Sequence, residues 1–130
     1  MSPSIQSVSI DATDPARLAD FWQAALGWRR TYDSPEEVAL EPPEGSPEDG
    51  AAPAVLLLRV PEEKVGKNRV HLDVNISGGP DTAIEERKRA IEAVAARLEG
   101  EGATRVRPFE RRGEFWMVMQ DPEGNEFCLQ

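Results

Sequence analysis

The chain has 130 residues, enough for one domain with a single two-layer core and too few for two ordinary ones. Its composition, 39% apolar and 30% charged, belongs to a globular chain and excludes a disordered or fibrous one. A net charge of -9 at pH 7 argues against nucleic acid and anionic membrane surfaces as partners, because both demand a positive field.

No apolar run approaches the roughly 20 residues needed to cross a bilayer. The start, "MSPSIQSVSIDATD", lacks the basic and apolar regions of a secretory leader, so a cytoplasmic address is expected. Cys128 is the single cysteine; it cannot form an internal disulfide, which fits a reducing compartment and excludes a multi-cysteine zinc site.

In chain order, "IQSVSI" alternates, with Val8 and Ile10 facing one way and Ser7 and Ser9 the other, the pattern of a strand with one buried face. "TDPARLADFWQAALGW" predicts a helix. Asp14 is its N-cap and Pro15 its first residue; Leu18, Phe21, Trp22, Ala25 and Leu26 form the apolar stripe, and Gly27 ends it. "WRRTY" and "EVALE" read as short strands. A Pro, Gly and acid-rich loop, "PPEGSPEDGAAP", leads into the apolar strand "AVLLLRV"; the loop reads as a solvated insertion or a lid.

The second half repeats this order. "RVHLDVNI" is a strand carrying His71, the one histidine. "PDTAIEERKRAIEAVAARLEG" is an amphipathic helix with Ile84, Ile91, Val94, Ala95 and Leu98 inward, a Glu85–Arg89 pair outward, and an end near Gly100 or Gly102. "ATRVRPF", "EFWMVMQ" and "EFCLQ" are strands, the last two joined by the turn "DPEGN". The modules span residues 1–62 and 67–130.

The βαβββ order used twice, the "DPARLADFWQAALGW" helix, "NRVHLDV" opening the second module and the closing "WMVMQDPEGNEFCL" resemble the vicinal oxygen chelate superfamily, also called the glyoxalase/bleomycin resistance/dioxygenase superfamily. More narrowly they resemble its small glyoxalase-like domain proteins. The resemblance implies an α+β fold: a curved, mostly antiparallel eight-stranded sheet, a concave pocket, and helices on the convex side. It also implies a homodimer and, in the enzymes, one divalent metal (Ni, Zn, Mn or Fe) held by the first and last strands of each module and chelated by two neighbouring substrate oxygens.

Carried over residue by residue, that pattern puts Ser7 on the first ligand position, Leu57 or Leu58 on the second, His71 on the third and Cys128 on the fourth. Serine is a poor ligand for these metals and leucine is none, so at best two of four positions carry donors, against the usual three. Strand parity offers a shifted set, since Asp73 and Asn75 share a face with His71, and Glu126 and Gln130 share one with Cys128, while Glu114 is on the neighbouring strand.

The same parity assigns Val70, Leu72, Val74, Phe115, Met117, Met119, Phe127 and Leu129 to the helix-packed core. It gives the pocket His71, Asp73, Asn75, Glu114, Trp116, Val118, Gln120, Glu126 and Cys128. Asp73 is placed to orient or charge His71, the candidate acid/base residue. Trp28 and Trp116 are candidates for stacking a planar ligand. Arg59, Arg105, Arg107, Arg111 and Arg112 are candidates for an anion, or surface ion-pair partners.

The expected function is a glyoxalase/bleomycin resistance-type protein that binds a small molecule without the full metal site, in a pocket of Ser7, Trp28, Leu57, Arg59, His71, Asp73, Glu114, Trp116, Glu126 and Cys128. The alternative is a metal-dependent lyase, isomerase or dioxygenase with His71 and Cys128 as ligands. An assembly module, with an empty or filled pocket that offers no access, is a third possibility.

Overall fold

The structure, a computed structural model, describes residues 4–79 and 81–130. Residues 1–3, in the stretch read above for a leader, and Pro80, the first residue of the expected second helical segment, lie outside the described residues. The chain divides into two compact units, one up to Glu63 and one from Lys64 to Gln130.

The first unit runs β1 (Ser7–Ala12), α1 (Pro15–Leu26), β2 (Arg29–Asp33), β3 (Glu37–Glu41) and β4 (Ala54–Arg59). The second repeats it as β5 (Leu72–Val74), α2 (Ile84–Gly100), β6 (Thr104–Arg111), β7 (Glu114–Gln120) and β8 (Glu126–Leu129). Hydrogen bonding groups the eight strands into two four-stranded sheets, ordered β1-β4-β3-β2 and β5-β8-β7-β6. Each is mixed: the first and last strands of a unit pair in parallel and the other neighbours are antiparallel.

α1 forms where its end signals place it. The Asp14 carboxylate accepts from the Arg17 amide at 3.3 Å, Pro15 gives up a donor no helix would use, and Gly27 turns left-handed at φ 70° so that its amide reaches the Gln23 carbonyl. Leu18, Phe21 and Trp22 are buried with Val38, Leu40, Val55 and Leu57 of the sheet. Each such side chain contributes about 1.5–3 kcal/mol, an upper bound because unfolded chains are already partly collapsed. Phe21 and Trp22 meet edge to face at 5.4 Å.

α2 has no side-chain N-cap, and among its expected stripe Ile91, Ala95 and Leu98 are buried while Ile84 and Val94 are half-buried. They pack on β7, where Phe115, Met117 and Met119 are buried, and buried Phe127 and Leu129 of β8 lie opposite Met119 and Met117. Glu85 pairs with Lys88, not with Arg89. Lys88 also bonds Glu110 of β6, which raises its pKa, chiefly through that hydrogen bond. Arg105 joins Glu92 and Glu99, tying β6 to α2.

Two expectations for the fifth strand are corrected. The strand expected at 69–76 contracts to Leu72–Val74, and Val70, expected in the core, is 75% exposed, because the chain before His71 is not paired into the sheet. The loop after β3 is held closely. Arg29 donates to the Pro42 carbonyl at 2.9 Å and to Asp49 at 3.2 Å, and Asp49 accepts from the Gly45 amide at 2.9 Å. Those bonds give the loop a fixed structure of its own.

The "DPEGN" turn is built around Asp121, which is 2% exposed. Its carboxylate accepts from the amides of Glu123 and Asn125 and from the Asn125 side chain at 2.9–3.0 Å, while Gly124 supplies φ 86°. A buried carboxylate satisfied this fully fixes the register of β7 on β8.

Candidate functional site

The second sheet has one face against α2 and one turned away from it. On that second face Asp73, Cys128, Val118 and Arg107 are successive Cα partners across β5, β8, β7 and β6. Cα partners project to the same side, so this rung is the axis of the site.

His71 stands one residue before β5, on the same side as Asp73. Its Nδ1–H donates to Asp73 Oδ1 at 3.0 Å, and Cys128 Sγ lies 3.9 Å from the same nitrogen. One donor atom from each of the three residues falls within 4.8 Å of the others. His71 and Asp73 are exposed, whereas Cys128 is 5% exposed. Burial, then the charge of Asp73 and a hydrogen bond to it, push the Cys128 thiol up to about 11, against a smaller opposing effect of Lys67. At neutral pH the thiol is therefore protonated.

An imidazole, a carboxylate and a thiol make a donor set that suits Zn, Ni or Fe. Metal bonds of about 2.0–2.3 Å hold donors roughly 3.5 Å apart, and the 3.0 and 3.9 Å separations bracket that figure. The three residues fit such an ion, with positions left open for a ligand. Binding would cost the thiol proton.

Beside the cluster is an aromatic shelf. Phe109 of β6 and Trp116 of β7 are Cα partners whose rings stack at 5.3 Å and 6°, and the Arg107 guanidinium lies 4.1 Å from the Phe109 centroid. Trp116 was legible from strand parity. Arg107 was a candidate by its charge alone and Phe109 was not a candidate, because a bulge between Arg105 and Arg107 shifts the register and turns both onto this face.

Of the other expected site residues, Glu126 is engaged structurally. It accepts from the Asn68 amide at 3.0 Å and lies 4.0 Å from Lys64, holding the incoming segment against β8. Glu114 is exposed at the start of β7.

The remaining four belong to the first unit. Ser7 pairs with Ala54, which places it with Leu56 and Leu58 on the face turned away from α1. Leu57 is corrected: it has Val55's parity and is fully buried in the α1 core, so Leu58, not Leu57, shares the face of Ser7. Arg59 has the core parity too and emerges exposed at the strand end. Trp28 is half-buried between α1 and β2, its carbonyl accepting from Gln23.

Comparison with known proteins places this geometry. No curated protein sequence matches the chain. Among solved structures, a glyoxalase/bleomycin resistance protein/dioxygenase family enzyme from Burkholderia phytofirmans PsJN superposes with a TM-score of 0.74 at 18% identity, covering 98% of this chain and 97% of that one. The fosfomycin resistance protein FosX from Listeria monocytogenes, solved with Mn(II) and dihydroxypropylphosphonic acid, gives 0.73 at 15% identity, covering 100% and 90%. A possible glyoxalase from Bacillus cereus gives 0.69 at 12%, covering 99% of both chains. The family model described as a glyoxalase-like domain matches residues 7–130, and with the twice-used βαβββ unit it shows that the chain belongs to the glyoxalase-like family of the vicinal oxygen chelate superfamily.

Proposed function

We propose that the protein binds a small, planar organic molecule on the face of the second sheet turned away from α2. The observation that carries this reading is the Phe109–Trp116 stack, capped by Arg107, on the same face as His71, Asp73 and Cys128. An aromatic shelf beside a few convergent polar groups is the usual makeup of a small-molecule site. The test is a thermal-shift screen of planar compounds followed by calorimetry on each hit. Trp116→Ala should weaken a true ligand about tenfold or more. A screen in which nothing stabilises the wild type removes the reading.

A second reading, a metal-dependent lyase, isomerase or dioxygenase, is favoured by one observation, the convergence of His71, Asp73 and Cys128 within 4.8 Å. A bound ion would supply Lewis-acid polarisation of vicinal oxygens. The chain's own part would be to hold the ion with these three side chains, and to shed the Cys128 proton. Titration of metal-stripped protein with Ni, Zn, Mn and Fe(II) decides it: binding that tightens with pH and is lost in His71→Ala supports it, and no binding ends it.

The protein acts, on this proposal, as a cytoplasmic homodimer. The exposed apolar side chains Val65, Val70 and Val106 are surfaces a partner would cover, and light scattering on the purified chain tests the stoichiometry. No helix among the described residues is long and apolar enough to cross a membrane.

A further inference from the structure

A cleft of about 420 Å³ opens within the second unit, lined by Asn75, Gly78, Gly79, Arg87, Arg112, Gly113 and Glu114. Its walls come from the loop after β5, the first turn of α2 and the β6–β7 hairpin. Two features separate it from an ordinary surface groove.

The first is its pair of arginines. Among the described residues neither Arg87 nor Arg112 forms an ion pair, although the chain carries an excess of nine acidic groups. Arg87 uses only Nε, donating to Ser77 Oγ at 3.4 Å, and that bond aims the guanidinium without neutralising it. Ser77 is itself buried, and the Asn75 side chain closes the loop by accepting from the Gly78 amide at 3.2 Å.

The second is where Arg112 sits. The two-residue hairpin Arg112-Gly113 has φ of 55° and 77°, a pair of positive values for which Asn-Gly or Asp-Gly is the low-energy choice. Arg112 is the sole non-glycine residue at positive φ among the described residues. A long cationic side chain at a turn position that favours Asn, Asp or Gly carries a conformational cost, which marks the position as one held for more than the turn.

We infer that this cleft is an oxyanion subsite, taking a carboxylate or phosphoryl group between the guanidinium groups of Arg87 and Arg112. Guanidinium binds both groups through paired, charge-assisted hydrogen bonds, and the glycines at 78, 79 and 113 let the anion approach the backbone closely. Glu114, on the same wall, opposes the anion and keeps binding weak unless the ligand brings a hydroxyl or ammonium group for it. Asn75 follows Asp73 by two residues and Glu114 precedes Trp116 by two, so the subsite ends the sheet face described above. The inference rests on that reading for its biological ligand, but the test does not.

The test uses the full chain, amide NMR, and inorganic phosphate and acetate as separate probes at constant ionic strength. Saturable shifts at Gly78, Gly79 and Gly113 are expected. Arg112→Asn, which suits the turn and so preserves folding, and Arg87→Gln should each weaken binding about tenfold. Glu114→Gln should tighten it. Tighter phosphate binding assigns the site to a phosphoryl group, and equal or tighter acetate binding assigns it to a carboxylate. No saturable shift at the three glycines, or shifts unchanged in Arg112→Asn, overturns the inference. Trp116→Ala should leave phosphate binding intact, so failure of the planar-ligand reading and failure of the subsite are told apart.

Discussion

The His71 imidazole donates its Nδ1 proton to Asp73 at 3.0 Å, across the two-residue interval that puts both side chains on one side of the chain. The same carboxylate raises the pKa of Cys128. Asp73→Asn therefore removes the charge that opposes thiolate formation and should lower the Cys128 pKa. Burial, the larger cause, will hold it above its ordinary value of 9.0. Thiolate ultraviolet absorbance against pH measures both variants; an unchanged midpoint would show that Asp73 exerts no such influence.

Stability should fall in alkali by way of the same thiol. The folded pKa of about 11 lies above the ordinary 9.0, so the native state holds its proton more tightly than the unfolded state. The contribution is complete below pH 9.0 and is lost as pH rises toward about 11. The full difference is on the order of 3 kcal/mol. Urea melts of wild type and Cys128→Ala between these pH values should converge as pH increases; parallel curves would contradict the assignment.

Leu57 and Leu58 are neighbours with opposite surroundings. Leu57→Ala should cost about 3 kcal/mol, the usual price of emptying a closed apolar site, and half-buried Leu58 distinctly less. Chemical denaturation distinguishes them, and equal losses would put the parity of β4 in question.

Arg29 anchors the loop that follows β3. Arg29→Ala should speed amide exchange at Gly45, Asp49 and Ala51 while changing global stability by less than about 1 kcal/mol, as partly exposed ion pairs do. If exchange there is unaltered, the turns of residues 43–52 hold the loop without Arg29.

Much of this architecture was legible because its signals are local. Asp14, Pro15 and Gly27 bracket α1, and alternation along β7 and β8 separates Met117 and Phe127 from Trp116 and Cys128 without any tertiary information. What escaped depends on register. An apolar run such as Leu56–Leu57–Leu58 has no polar residue to mark its faces, and only pairing with Ser9, Ile10 and Asp11 of β1 shows which leucine turns where. The bulge at Arg105 and Arg107 hid Phe109 in the same way. The Arg87–Arg112 cleft joins residues 25 positions apart, from a helix and a hairpin, and no spacing rule connects them.

The protonated, enclosed state of Cys128 also makes the protein easy to label. Maleimide reagents need an accessible thiolate, so the native cysteine should stay silent under ordinary conjugation conditions. A cysteine introduced at Ile5, 74% exposed, would then accept a fluorophore alone, with no background substitution to make first.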